Sequence, residues 1–195
     1  MEAIRETEGP FHSYGMPRYA GLNMTKAEFL RWESDDNYVY EFNDGLLEPT
    51  TGMRQDENYL LTNLENVFFE TASFRSGNRL RAEMDFWVTD KQMRRADVSY
   101  FTIEQLQQMQ TGQRVVPGFV IEFASESDNE RVSLTKRHEY FVAGIQAIWW
   151  VYPEFKEVYV YTSPKTVTIC TDNDELSAAP VLLDFRLTVE DLFTK

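Results

Sequence analysis

Three residues of this sequence are of the types and spacing that could carry chemistry: Asp97, Glu122 and Lys136. Asp97 opens the run Asp97-Val-Ser-Tyr-Phe101, and Glu122 sits inside the almost wholly apolar run Gly118-Phe-Val-Ile-Glu-Phe-Ala124. Such a run reads as a strand covered on both faces, where a carboxylate needs a partner. If the two strands are neighbours, the carboxylates converge on one hard divalent cation, which prefers oxygen ligands. On the two acids alone an alternative stands: Asp97 ends its strand in water and Glu122 pairs with a surface arginine. Lys136 changes the weighting. Helical spacing puts Val132, Lys136 and Tyr140 on one face, and a lysine turned towards a sheet needs a carboxylate, because an unpaired ammonium removed from water tends to lose its proton. Glu122, on the strand leading into that helix, is the expected partner; a lysine reaching solvent from the helix edge is the alternative. Two carboxylates and a lysine are the minimum set for metal-assisted phosphodiester hydrolysis. Mg²⁺ or Mn²⁺ polarises the phosphoryl oxygen and acidifies water, while the lysine orients that water or offsets developing charge. Glu41 is a fourth candidate. In Tyr38-Val-Tyr-Glu-Phe42 it shares a face with Val39 and Asn43, opposite Tyr38, Tyr40 and Phe42, which suits either an outer metal ligand or an exposed hairpin glutamate.

The elements that must position these residues are legible in outline. Thr25-Lys-Ala-Glu28 is a capping box opening a helix through Trp32. Residues 38–48 read as a hairpin around Asn43-Asp-Gly45. From Asp56 to Ala72, Leu60, Leu61, Leu64, Val67 and Phe68 recur at helical spacing and predict the longest amphipathic helix of the chain. Arg81 to Val88 alternates, with Ala82, Met84, Phe86 and Val88 on one face and Arg81, Glu83, Asp85 and Trp87 on the other. Asp97–Phe101 reads as a short strand, and Thr102 with Gln105 as the cap of a helix to about Met109. Residues 118–124, a helix over 131–143 ended by Gly144, and Gln146-Ala-Ile-Trp-Trp-Val-Tyr152 form a β-α-β unit. Residues 158–162 and 166–170 form an antiparallel pair, and Thr188-Val-Glu-Asp191 caps a terminal helix.

Composition bounds the function. A chain of 195 residues with 43% hydrophobic and 14% aromatic content can bury one core. No stretch is long and apolar enough for a signal peptide or a membrane span, so no membrane partner and a cytoplasmic location are expected. The single Cys170 can make no internal disulfide and reads as a strand residue. His12 and His138 lack metal-ligand spacing and read as structural or surface residues. The net charge of −13 opposes nucleic-acid binding, since phosphate contacts need Lys and Arg to displace counterions. Basic residues nevertheless group as Arg75/Arg79/Arg81, Arg94/Arg95 and Arg131/Lys136/Arg137, which leaves either a basic groove on an acidic body or ordinary solvated faces.

Thr25-Lys-Ala-Glu-Phe29, Tyr40-Glu-Phe-Asn-Asp-Gly45, Ala96-Asp-Val98, Val120-Ile-Glu-Phe123, Lys136 with Tyr140 and Gly144, Trp149-Trp-Val-Tyr-Pro153 and Phe185-Arg-Leu187 follow one another in a fixed order and spacing. This series resembles the Uma-type family of restriction-endonuclease-like proteins, over nearly the whole chain from about Leu22. The resemblance implies an α/β (α+β) fold of the PD-(D/E)XK nuclease kind, a mixed central β-sheet flanked by helices, spanning residues 21–195; residues 1–20, which show no period and carry Gly9, Pro10, Gly15 and Pro17, read as an irregular lead-in. It implies that Asp97 and Glu122 ligate Mg²⁺ or Mn²⁺ and that DNA is the substrate. Lys136 takes the place of the lysine that ordinarily follows the glutamate by two positions, where Ala124 stands here. It also admits a homodimer able to cut two strands, with Trp149/Trp150 or Tyr159/Tyr161 at the interface if they are exposed and in the core if they are not. Three positions depart from the pattern. Ala96 replaces the usual proline, Ser125-Glu-Ser127 brings an extra acid, and Asp56-Glu-Asn58 stands where a histidine is usual. They keep open a second reading, a nuclease-fold protein of weak or no activity acting as a binding or regulatory module.

Overall fold

The hairpin around Asp44 and Gly45 sets the first edge of the sheet. Strands β1 (Val39–Asn43) and β2 (Leu46–Thr50) pair antiparallel. Both turn residues have positive φ, 47° and 98°, the backbone of a tight turn whose twist matches that of the strands. In this computed structural model, which describes residues 16–50, 52–124 and 130–195, the helix capped by Thr25 is a single turn, α1 (Lys26–Phe29), with both halves of the capping box formed. It ends at Leu30 rather than continuing to Trp32. Phe29 and Trp32 instead pack with Tyr19, Tyr40 and Phe42 in an aromatic cluster over the hairpin.

The helix expected from Asp56 to Ala72 is divided. A 3₁₀ turn at Gln55–Glu57 leads into α2 (Asn58–Phe69), and α3 (Ala72–Arg75) starts afresh. The break lies at Thr71, whose backbone is extended and whose hydroxyl both donates to the Phe68 carbonyl and accepts from the Phe74 amide, a local cap that competes with continuing the helix. Leu60, Leu64 and Phe68 form the buried stripe of α2. Among the described residues the longest helix is α5 (Glu130–Ala143), ended as expected by Gly144 at φ 101°.

The remaining elements are β3 (Arg79–Trp87), β4 (Gln92–Phe101), α4 (Ile103–Gln110), β5 (Phe119–Phe123), β6 (Ala147–Tyr152), β7 (Glu157–Ser163), β8 (Thr166–Cys170), β9 (Glu175–Ala178), β10 (Leu182–Thr188) and α6 (Val189–Leu192). Eight strands make one mixed sheet in the order β2-β1-β4-β5-β6-β7-β8, with β3 on β4. Only β5 and β6 pair in parallel, through α5, as the β-α-β reading requires. The β9–β10 pair forms a small second sheet that the sequence reading did not anticipate. Odd-numbered residues of β5 and β6 (Phe119, Ile121, Trp149, Val151) face α2, α6 and the small sheet, whereas Val120, Ile148 and Trp150 face α5 through Tyr140. The sheet is thus covered on both faces, as the fold expected from sequence demands. Trp149, Trp150 and Tyr161 are buried, so their bulk serves the core. Cys170 is buried on β8.

Two irregularities shape the centre of the sheet. β3 occupies one edge of β4 from Met93 to Phe101, so β1, pairing at Gln92–Met93, and β5, pairing at Val98–Tyr100, share the other edge. Between them residues 94–97 have no strand partner on that side, and the sheet forks. The clean alternation expected for Arg81 to Val88 also fails. Leu80 belongs to the cluster on the α2 face and Phe86 to that on the α5 face, although six residues apart they would share a face in a regular strand. Glu83, at φ 49°, resets the alternation between them, and across the pair Ala96 and Val98 also fall on different faces.

Candidate active site

The fork leaves backbone polar groups of β4 unpaired, and side chains complete them. The Arg95 amide donates to Glu41 Oε1 at 2.7 Å, and the Arg95 carbonyl accepts from Lys136 Nζ at 3.0 Å. Buried backbone groups must find partners, so the geometry of the gap itself draws Glu41 and Lys136 towards Asp97. Lys136 Nζ also lies 3.1 Å from Glu122 Oε1 and 3.3 Å from Glu41 Oε1. Tyr140, one turn along α5 and fully buried, donates its hydroxyl to Glu122 Oε1. Asp97 Oδ2 accepts from the Phe123 amide at 2.7 Å, which ties the first acid to the strand of the second. The structure therefore brings Asp97, Glu122, Lys136 and Glu41 to one place. Lys136 is turned inward rather than out to solvent, and Glu41 is 6% exposed rather than a surface hairpin residue.

One expectation about α5 fails: Val132 is 55% exposed, because the apolar cluster on that face takes α5 residues only from Tyr140 onwards. His138 is a surface residue, as expected. His12 and the extra acid Glu126 lie outside the described residues.

Charge in the fork is unbalanced. Arg94 is 2% exposed and contacts Glu41, Glu48 and Glu139, while Lys136 faces Glu41 and Glu122. Counting Asp97, five carboxylates meet two cations. Loss of water drives the Asp97 carboxyl up to about 8, with the Glu122 charge adding to the shift and Lys136 and the Phe123 amide opposing it. Glu122 is likewise raised by burial, against the pull of Lys136 and Tyr140. Burial also works against ionised Glu41, but Lys136, Arg94 and the Arg95 amide outweigh it and hold this carboxyl below its ordinary value. Lys136 is disfavoured as a cation by burial, yet Glu122, Glu41 and Asp97 overcome that and keep it charged. The cluster thus keeps Lys136 and Glu41 ionised and meets its shortage of positive charge by holding a proton on Asp97.

That shortage is the test of a cation, and the residues fit one. Two buried carboxylates held above their ordinary pKa, Asp97 with the Glu122 charge against it and Glu122 with the Glu41 charge against it, would be relieved by a divalent ion. Among the described residues no set of three or more His, Cys, Asp or Glu forms a ready cage. An ion bound here would have Asp97 and Glu122 as its protein carboxylates and would complete its coordination with water.

Sequence reading missed two contributors. Arg94 stood out only as half of a basic pair, yet it is the buried centre of the ion network. Glu57 stood out only where a histidine is usual; it is 5% exposed and its charge also raises Asp97. Tyr140 was legible by its spacing from Lys136, though not its bond to Glu122.

The sequence profile of the Uma2 family, described as "Putative restriction endonuclease", matches residues 27–190. The chain belongs to the Uma2 family. No curated protein matches it. Its fold is similar to the crystal structure of a putative nuclease from Anabaena variabilis ATCC 29413, with a TM-score of 0.74 at 16% sequence identity, covering 87% of this chain and 97% of that one. The Uma2 assignment agrees with the resemblance in the sequence and spans the elements that build the fork, from the β1–β2 hairpin through β4 and β5 to α5. No helix among the described residues is long and apolar enough to cross a membrane.

Proposed function

We propose that this Uma2-family protein is a divalent-metal-dependent endonuclease that hydrolyses phosphodiester bonds of DNA in the fork between β1 and β5. The observation that carries the reading is the placement of Lys136 Nζ, within 3.3 Å of the Arg95 carbonyl, Glu122 and Glu41, beside the paired acids Asp97 and Glu122. Asp97 and Glu122 would hold Mg²⁺ or Mn²⁺, which when bound supplies Lewis acidity to a phosphoryl oxygen and lowers the pKa of water. Lys136 is held as a fixed ammonium, so it offsets charge on the phosphate and orients a nucleophilic water rather than acting as a base. Glu41 fixes Lys136 from the β1 side. Tyr140 fixes Glu122 by donating to one of its oxygens, which orients the other.

A second reading, a nuclease-fold binding or regulatory module, draws on the arginines. Arg94 is spent in the buried network and Arg95 pairs bidentately with Asp85 at 2.7 and 2.9 Å, so this pair of the expected basic groove does not face a phosphate backbone. Titration calorimetry of Mg²⁺ and Mn²⁺ into wild type and Asp97→Ala, with cleavage of mixed DNA substrates in the same buffers, separates the two. Metal uptake and cleavage that both disappear in the variant support the nuclease; absence of metal uptake by wild type overturns it and favours the module.

A further inference from the structure

We infer that Arg94 is the positioning residue of this site, setting where Lys136 stands through two routes at once; the inference rests on the nuclease reading for its catalytic consequence. Its side chain is 2% exposed and has no solvent to fall back on. The first route is direct: Arg94 Nη1 donates to Glu41 Oε2 at 2.9 Å, while the other oxygen of the same carboxylate takes the Arg95 amide and faces Lys136. Holding one oxygen fixes the rotation of the carboxylate and so the position of the other. The second route runs through α5. Arg94 Nε donates to Glu139 Oε2 at 2.7 Å. Glu139 is three residues after Lys136 and adjacent to Tyr140, so a grip on it fixes the roll of the helix that carries both.

The remaining polar atoms close a ring around the guanidinium. Arg94 Nη1 reaches Glu48, Glu48 Oε1 accepts from Asn43 at 2.7 Å, Asn43 Oδ1 accepts from Gln92 at 2.9 Å, and Gln92 donates to Glu139 Oε1 at 2.8 Å. The hairpin, β4 and α5 are joined across the place where the sheet pairing lapses. Strand hydrogen bonds cannot hold β1 against β5 there, because β4 residues 94–97 have no partner on that edge. A planar fork of donors can serve several carboxylates in fixed directions, whereas a lysine supplies one point charge on a flexible stem. The buried charges cost desolvation that better-packed apolar residues would avoid, which is consistent with a network that serves position rather than stability.

The experiment compares full-length wild type, Arg94→Lys, Lys136→Met and the double variant. In Arg94→Lys we expect kcat for DNA cleavage lower by about tenfold or more with KM within about twofold, and a smaller loss of Mn²⁺ affinity, about threefold or less, because the ligands Asp97 and Glu122 are retained and only the hold of Tyr140 on Glu122 is disturbed. Unchanged kcat, or kcat and Mn²⁺ affinity falling together in proportion to the unfolded fraction, would overturn the inference. If wild type cleaves none of the substrates, the nuclease reading fails by itself and the unfolding equilibrium decides the positioning role. Among the described residues Arg94 and Lys136 share no hydrogen bond or ion pair, so positioning predicts that their combined effect on the folded-to-unfolded ratio departs from the product of the single effects by about fivefold or more. A product within about twofold refutes it. Should Arg94→Lys fail to fold, Glu139→Gln replaces it in the same cycle and is judged by the same limits.

Discussion

Replacing Asp97 by asparagine should stabilise the metal-free protein, and by more as the pH rises. The carboxyl titrates near 3.8 in the unfolded chain and at about 8 in the fold. Below the first value both states are protonated and the group contributes nothing. Between the two the unfolded chain has released the proton and the folded one has not, so each pH unit costs the fold about 1.4 kcal/mol. From pH 5 to pH 7 the wild type should lose on the order of 3 kcal/mol relative to Asp97→Asn. The amide can still accept from Phe123 N–H, so the substitution sacrifices no hydrogen bond. The assay is urea unfolding of both proteins at pH 5, 6 and 7 in a chelator, reading the difference in folding free energy at each pH. Adding Mg²⁺ at 100 times its dissociation constant should return about 2.7 kcal/mol to the wild type alone. Parallel pH profiles for the two proteins would refute the reasoning, since they would mean that Asp97 ionises in the fold much as it does in the unfolded chain.

Lys136→Met leaves Glu41 and Glu122 buried without their shared cation and should cost about 3–5 kcal/mol in urea unfolding at pH 7, together with loss of any DNA cleavage; a smaller loss of stability at pH 5 than at pH 7 is expected as Glu122 takes up a proton. Tyr140→Phe removes a hydrogen bond to a buried carboxylate and should cost about 1.5–3 kcal/mol in the same assay, with weaker Mn²⁺ uptake by calorimetry. Gly52→Ala would bring a methyl group against the Glu83 carboxylate, which also caps the Met53 amide; the carboxylate, at the end of a flexible side chain, swings aside and gives up that hydrogen bond, so a loss of about 1 kcal/mol is expected in thermal or urea unfolding, absent when Glu83→Ala is already in place.

What the amino-acid order determined was the local structure and the parts list. The capping boxes at Thr25, Thr102 and Thr188 all formed where Glu, Gln or Asp follows by three, because a cap is a contact within one turn and needs nothing from elsewhere. The buried acid of β5 was legible because an all-apolar strand has one face for each core and no place for a lone charge. Lys136 could be singled out for the same reason, a charge in a position that burial makes costly without partners, whereas Asp97 stood out as the acid opening the next strand and through the Ala96-Asp-Val98 match to the family series. Tertiary structure alone decided the rest. Helix α2 stopped short because the Thr71 hydroxyl offers the backbone a competing partner, and strand alternation broke at Glu83 because a single positive φ turns the chain over. Neither leaves a periodic signal. The fork along β4 arises from two strands, separated by some 80 residues, sharing one edge without meeting. Only that gap explains why Arg94, read from sequence as one of a basic pair, lies buried among three carboxylates, and why Glu41 is an inner residue of the site. Pairing of this kind depends on where distant strands end, which one-dimensional periodicity does not encode.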